Sequence, residues 1–313
     1  MKKAFMISGG AGRVLCSIPA LEKYAEKHDD FVIVSHGWTE CFSGSPKLRN
    51  KVYDIGHKNL FEEHLRDKEI ITPEPYHLNA YFNQECNLIQ AFDIIINELG
   101  EKPPISKINI ELSKKEQVDG YTIVNEVREV RKKEKVIVFQ PYGSGVTHQS
   151  NFIYDTSGRS FELSDSIKII EELVKDYGVI LMSQLPIPSE KDLGVAWPQN
   201  VDIRTWMGII NAADYFLGCD SLGQHIAYGL NKPATVVIGS TFPENITYQD
   251  VDNFCIVDNG GPDRAYAPYR ISHDDNAERN NEALMLLKEE SFKKIFESID
   301  KKLKGKSDLK SKL

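Results

Sequence analysis

Residues 213–239 constrain the fold more than any other part of the chain. The apolar run Tyr215-Phe216-Leu217-Gly218-Cys219 gives way to the polar pair Asp220-Ser221. A short helical pattern follows, stopped by Asn231 and Pro233, and then a second apolar run, Ala234-Thr235-Val236-Val237-Ile238. This order predicts strand, turn, helix and strand, which is one βαβ unit. Such a unit puts Asp220, Ser221 and His225 where the open edge of a parallel sheet meets a helix N-terminus. That is a site suited to a bound phosphate, because first-turn N–H groups and the helix dipole face it.

The same alternation appears in both halves. The run Lys3 to Ile7 ends in Ser8-Gly9-Gly10-Ala11-Gly12, and a helical pattern then carries Leu21, Tyr24 and Ala25 on one face before the β-rich run Phe31 to Val34. Residues 87–99 are predicted helical, with Leu88, Ala91, Phe92, Ile95 and Ile96 on a broad apolar face. From 101 to 135 the chain turns polar, with Pro103-Pro104 and a charge run over 126–135, so the interdomain connection is placed there. A second series begins with strand 136–139, leading into Gln140-Pro141-Tyr142-Gly143-Ser144-Gly145. It continues with an amphipathic helix over 164–177, a strand over 179–182 and a short helix over 206–212. A last helix is expected over 280–303, ahead of a basic tail, 304–313, whose expected state is disorder. The expectation is an α/β protein with two doubly wound, Rossmann-like parallel sheets facing one another across a cleft.

With 313 residues there is ample chain for two cores, and 41% hydrophobic with 27% charged residues describes a globular protein. The formal charge of -8 excludes a uniformly basic surface attracted to nucleic acid or anionic lipid. The opening residues hold only the apolar run Ala4-Phe5-Met6-Ile7 before Ser8, and no later run reaches the length of a membrane span. Cys16, Cys41, Cys86, Cys219 and Cys255 are dispersed and odd in number, the pattern of reduced thiols rather than of disulfides or a zinc site. A cytoplasmic location is therefore expected.

Two separated motifs, in this order, resemble glycosyltransferase family 9, the heptosyltransferase family with the GT-B fold. The first is Gly9-Gly10-Ala11-Gly12-Arg13-Val14-Leu15-Cys16-Ser17-Ile18-Pro19-Ala20-Leu21, similar to the family's glycine loop and following helix. The second runs from Ala213-Asp214 through Asp220-Ser221-Leu222-Gly223-Gln224-His225 to Lys232-Pro233 and Gly239. A weaker third match is Phe139-Gln140-Pro141-Tyr142-Gly143-Ser144 with Arg159 beyond it. The resemblance implies an acceptor-side domain over 1–125 and a nucleotide-sugar-binding domain over 126–278. The segment 279–313 would be a helix and tail, the helix a candidate to pack back on the first domain. The chain departs from the family at two places. The family carries a proposed general-base Asp directly after its loop glycine, where this chain has Arg13, and an Arg cannot take a proton from a hydroxyl at neutral pH. The family's glycine in the second motif is here Leu222, with Gly223 one place later.

The resemblance implies transfer of a sugar from a nucleoside-diphosphate sugar to an acceptor hydroxyl, inverting and without a metal or further cofactor. In that reading Gly143, Ser144, Ser183, Gln184, Asp220, Ser221, Leu222, Gly223, Gln224 and His225 form the donor set. Backbone N–H groups from Ser221 to Gln224 would stabilise the departing phosphate and Arg159 would clamp it. Trp206 and Met207 are further candidates beside the base, against a core-packing alternative. Gly10, Ala11 and Gly12 fall on the acceptor side with Arg13, and His36, Glu40 and Glu85 are candidate replacement bases. Plain N-capping explains Asp220-Ser221 equally well, and solvated surface explains the three candidate bases. The acceptor is a saccharide or a hydroxymethylated pyrimidine in DNA. Contact with DNA would fall to Arg128, Arg131, Lys132, Lys133, Lys135 and the Lys-rich tail. Competing readings are a nucleotide-sugar epimerase and a catalytically silent nucleotide-sugar-binding protein. A nicotinamide enzyme is disfavoured because Leu15 stands at the third glycine position and Ser35-His36 ends the second strand. The single triplet Asp250-Val251-Asp252 is expected by chance in an acidic chain.

Overall fold

The computed structural model describes residues 2–149, 152–155, 157–189, 191–264 and 283–304. It divides into two compact units, Met1–Ser113 and Lys114–Leu313. Each is built on a parallel sheet with helices packed against it, as the alternation of strand and helix patterns predicts.

The first unit comprises β1 (Lys3–Ile7), α1 (Ala11–Ala25), β2 (Phe31–Ser35), β3 (Val52–Asp54), β4 (Glu69–Ile71), α2 (Asn79–Phe82) and α3 (Leu88–Ile96). Its sheet has the order β3-β2-β1-β4, with Lys3 paired to Phe31 on one side and to Glu69 on the other. The strand order therefore reverses between β1 and β4. Helix α3 starts where the Asn87 side chain accepts from Gln90 N and the Gln90 side chain accepts from Asn87 N, both at 3.0 Å. That reciprocal cap satisfies two first-turn donors. The helix then packs on α1, to which Lys23–Asp93 and Asn97–Ala20 contacts tie it.

The second unit runs through α4 (Lys114–Arg131), β5 (Val136–Gln140), the antiparallel pair β6 (Val146–Gln149) and β7 (Phe152–Asp155), α5 (Leu163–Asp176) and β8 (Gly178–Leu181). It continues with α6 (Ile203–Ala212), β9 (Tyr215–Cys219), α7 (Leu222–Gly229), β10 (Ala234–Ile238), α8 (Pro243–Ile246), β11 (Phe254–Asp258) and α9 (Glu289–Leu303). The five-stranded sheet has the order β11-β10-β9-β5-β8 and is parallel throughout. Strands β5, β8, β9 and β10 are buried along their whole length. That is why they read as continuous apolar runs rather than alternating ones. Ile137, Phe139, Leu217 and Val237 pack with Ile169 and Ile170 of α5 and with Ile295 and Ile299 of α9. Each such burial contributes about 1.5–3 kcal/mol.

Two expectations about organisation change. The stretch over 101–135 contains an 18-residue helix, α4, that runs unbroken through the expected boundary at 125/126 and packs on α6. The two helices meet at glycines: a Cβ at Gly120 would lie 2.2 Å from the backbone carbon of Gly208, and one at Gly208 would lie 2.3 Å from the Glu116 carbonyl oxygen. Arg204 clasps Glu116 beside this crossing at 2.7 and 2.9 Å. Most of α4 faces solvent, so its sequence looks like a linker although its glycine face is a packing surface. The last helix begins at Glu289, after a turn over 283–286, rather than at 280, and its apolar side is buried against β10 and β11. Residues 280–282 and 305–313 lie outside the described residues.

Candidate functional site

The order of the second sheet reverses between β5 and β9, and parallel sheets bind ligands at the carboxyl ends of the two strands that flank such a reversal. Here the flanking segments are 141–145 after β5 and Asp220-Ser221 before α7. Beside them the end of β5 is joined to the first turn of α7, because Gln140 Oε1 accepts from Gly223 N at 2.8 Å. The amide of Gly223, expected to be among the phosphate donors, is therefore used inside the protein. Gly223 itself is fixed by crowding, since a Cβ there would lie 2.4 Å from the Phe216 ring and 2.5 Å from Gln140 Oε1. Ser221 occupies the N-cap position but its hydroxyl makes no capping bond, so simple N-capping does not explain it. Gln224, fully buried, donates from Nε2 to Asp220 Oδ1 at 2.6 Å.

Arg159 reaches this turn from the segment after β7. Its Nη1 is 3.9 Å from Asp220 Oδ2, and its Nε donates to Ser157 Oγ at 3.1 Å. Asp155, at the end of β7, organises the segment. Its Oδ1 accepts from Ser157 N at 2.7 Å and Ser157 Oγ at 2.6 Å, while its Oδ2 accepts from Ser160 N at 2.8 Å, Ser160 Oγ and Arg159 N. Ser160 Oγ in turn accepts from Gly143 N at 2.9 Å, which joins Asp155 to the loop after β5. Burial pushes the Asp155 carboxyl up, but these hydrogen bonds outweigh it and hold the group below its ordinary value. Asp155 was not among the residues the sequence singled out. The signal was an Asp two, four and five residues ahead of Ser157, Arg159 and Ser160, a spacing whose meaning depends on the turn closing.

Other expected donor residues divide. Gly143 is buried and Ser144 is exposed beside it. Ser183 follows β8, where its hydroxyl donates to the Leu185 carbonyl at 2.7 Å, and Gln184 is exposed. His225 turns away from solvent: its Nδ1 lies 2.6 Å from Tyr248 Oη, and Tyr248 stacks on Tyr228 with ring centroids 3.8 Å apart. Burial, with the Arg159 charge adding to it, lowers the His225 pKa to about 3, so the ring is neutral near pH 7. Leu222 is half-buried at the start of α7. Trp206 and Met207 are buried in α6, Met207 completely, which makes them core residues rather than contacts for a base. Two oxygens near this edge, Gln224 Oε1 and Thr241 Oγ1, are buried and have no hydrogen-bond partner among the described residues. Thr241, on the segment after β10, carried no pattern that a sequence reading detects.

In the first unit the reversal point lies between β1 and β4, and the segments after these strands also meet. Gly10 is the N-cap of α1, Ala11 and Gly12 form its first turn, and Arg13 follows. Arg13 Nη2 donates to the Pro73 carbonyl and to Glu74 Oε2, both at 3.1 Å, and its guanidinium lies 5.1 Å from the Tyr76 ring centroid. Gly9 has φ +100, and a Cβ there would lie 2.8 Å from Arg13 Cδ. The carboxylate that meets Arg13 is thus Glu74, which the sequence did not single out because it lies 61 positions away. His36 is exposed after β2, Glu40 sits half-buried in the short turn Thr39–Phe42, and Glu85 is exposed beyond α2.

The basic run is mostly committed to its own chain. Arg128 and Lys135 bind Asp214 at 2.9 and 3.2 Å, Arg131 donates to the Val195 carbonyl, and Lys133 to the Lys175 carbonyl. Burial pushes the Asp214 carboxyl up, but the bonds from Val136 N, Arg128 and Lys135 hold it below the ordinary value. Among the described residues no disulfide links the cysteines, and no helix is long and apolar enough to cross a membrane.

No family model matches the chain, and no curated protein sequence matches it. Solved structures do. A glycosyl transferase of family 9 from Veillonella parvula aligns over 95% of this chain and 96% of its own, with TM-score 0.65 and 11% identity. ADP-heptose LPS heptosyltransferase II of E. coli aligns over 91% and 99%, with TM-score 0.59 and 12% identity. The E. coli heptosyltransferase WaaC, solved with ADP, aligns over 86% and 94%, with TM-score 0.51 and 12% identity. The likeness is one of fold: two Rossmann-like units in one chain, as in these glycosyltransferases.

Proposed function

We propose that the protein is a glycosyltransferase that moves a sugar from a nucleoside-diphosphate sugar to an acceptor hydroxyl. The observation that carries the reading is Arg159, fixed by the Asp155 turn beside Asp220 at the reversal point of the second sheet. A guanidinium held there offsets the charge that develops on the diphosphate as its bond to the sugar breaks, so the donor step needs no metal. The amides of Ser221 and Leu222 and the hydroxyl of Thr241 complete the donor contacts. The acceptor role falls to the first unit, with Glu74 in place of the missing loop Asp. Its carboxylate takes the hydroxyl proton as the acceptor oxygen attacks the anomeric carbon, and inversion follows from that single displacement. A saccharide acceptor is favoured over hydroxymethylated DNA because Arg128, Arg131, Lys133 and Lys135 are spent on internal contacts. The chemistry fits a cytoplasmic enzyme, where nucleotide sugars are available.

Thermal-shift titration with UDP, ADP, GDP, CDP and their sugars tests the donor site. One base class raises Tm, and stabilisation by none of them overturns the reading. Mass spectrometry of products from saccharide and hydroxymethylated-DNA acceptors then separates transfer from epimerisation. Glu74→Gln is expected to lower kcat by about 10²–10⁴-fold with donor affinity retained. Nucleotide-sugar binding without turnover by the unaltered protein would instead identify a silent binding protein.

A further inference from the structure

A separate cluster of chemistry-bearing side chains lies in the first unit. After β3 the chain turns through Gly56 and His57, and a π-helical turn, Phe61–Leu65, brings Glu63 and His64 back toward His57. One ligand atom from each of His57, Glu63 and His64 lies within 4.8 Å of the others. The two imidazole centroids are 5.4 Å apart, and His64 Nε2 is 3.8 Å from Glu63 Oε2. We infer that His57, Glu63 and His64 form a binding site for one divalent transition cation of the zinc class.

The local backbone is shaped to bring these groups together. The π turn closes with Arg66 N donating to the Phe61 carbonyl at 2.8 Å, a wider turn than an α-helix makes and one often found at functional sites. Asn59, between the two histidines in sequence, has φ 57, a left-handed conformation that costs a non-glycine residue free energy. Its side-chain amide donates to Glu63 Oε1 at 3.1 Å, which leaves Oε2 as the oxygen on the histidine side. Tyr53 fixes the rings: His64 stacks on it at 3.8 Å, and His57 meets it edge-on at 5.3 Å.

The donor set selects the metal. Two imidazoles and one carboxylate suit zinc and its neighbours, whereas calcium and magnesium prefer an all-oxygen shell. Tetrahedral donors about 2.1 Å from zinc sit about 3.4 Å apart, so side-chain rotations of about an ångström close the observed spacing. Three protein ligands leave the fourth position to water. His57 and Glu63 are exposed, so an ion reaches them without any opening of the fold. These residues lie apart from Arg13 and Glu74 in sequence and share no hydrogen bond or ion pair with them among the described residues, so the inference stands independently of the proposed transfer reaction.

The test is titration of the full chain with Zn2+ against a chromophoric chelator, with Co2+ absorption as a second readout. One equivalent of Zn2+ is expected to bind. His57→Ala and His64→Ala should each weaken it by more than about a hundredfold, and Asn59→Ala by about tenfold, the usual effect of losing a group that orients a ligand. Circular dichroism of the metal-free variants, matching that of the unaltered protein, separates ligand loss from unfolding. The Co2+ form should lack a thiolate charge-transfer band. Absence of stoichiometric Zn2+ binding overturns the assignment, as does affinity unchanged by the substitutions, or a thiolate band that makes cysteines the ligands.

Discussion

The substitution Asp155→Asn tests whether that carboxylate organises the Arg159 segment. The carboxylate faces donors on both oxygens: Ser157 N and Oγ on one, Ser160 N and Oγ with Arg159 N on the other. The substituted amide keeps one oxygen and turns an NH2 group toward the other set. Whichever way it flips, one short backbone bond is lost, either that from Ser157 N at 2.7 Å or that from Ser160 N at 2.8 Å. Both serines are buried. A buried donor left unsatisfied costs about 1–3 kcal/mol, and the loss of charge weakens the bonds that remain, so about 3 kcal/mol of destabilisation is expected. Urea denaturation of both proteins measures it. The pH dependence supplies a second check. The folded Asp155 pKa is depressed, so its contribution is complete above the unfolded value of about 3.9 and is lost as pH falls through the folded value. The stability gap between the two proteins should stay constant from neutral pH to about pH 5 and narrow below about pH 4. A gap under about 0.5 kcal/mol at pH 7, the range of ordinary surface changes, would refute the assigned role. So would a gap that widens in acid.

Arg159→Ala should weaken binding of the stabilising nucleotide by about tenfold or more, the worth of one charge-assisted bond, as read by calorimetric titration; unchanged affinity removes Arg159 from the donor site. Gly208→Ala puts a methyl group against the Glu116 carbonyl and forces α4 from α6, with an expected loss of about 2 kcal/mol after allowance for the better helix propensity of Ala. Adding Gly120→Ala should cost much less than it does alone, because the helices have already parted; thermal melts of the four proteins of the cycle decide this, and simple additivity counts against it. In native protein at pH 8, iodoacetamide should modify Cys255 first, since the other four thiols are buried and burial pushes Cys86 up to about 11 and Cys219 further still. Peptide mass spectrometry showing early labelling of Cys219 would contradict that packing.

The second sheet was legible because its strands are buried on both faces and its turns carry explicit stop signals. Tyr215–Cys219, Leu222–Gly229 and Ala234–Ile238 fall where the apolar runs and Asn231-Lys232-Pro233 place them. Strands β3 and β4 were not legible, since three residues such as Glu69-Ile70-Ile71 carry no period and are strands only by pairing with a distant partner. Helix α4 was hidden by its own composition: Gly120, Val124 and Val127 are its only buried residues, and glycine at a helix crossing reads in sequence as a breaker. At the site, Asp220 emerged from a local motif, and Arg159 from the family resemblance, as a basic residue beyond the Gln140–Ser144 segment. Glu74, Gln140 and Asp155 act through contacts that exist only once separate segments are brought together, and no spacing rule encodes them.

The Arg13–Glu74 pair couples three positions, 9, 13 and 74. Glycine at position 9 leaves room for the Arg13 stem, and the guanidinium occupies the space before Glu74. An acid at 13 alone would set two carboxylates face to face, while a side chain at 9 alone would displace the Arg13 stem. Substitutions here are therefore epistatic. An acid at 13 and an acid at 74 are alternatives in this fold, because each needs the space before the other to be filled by a cation or a neutral group.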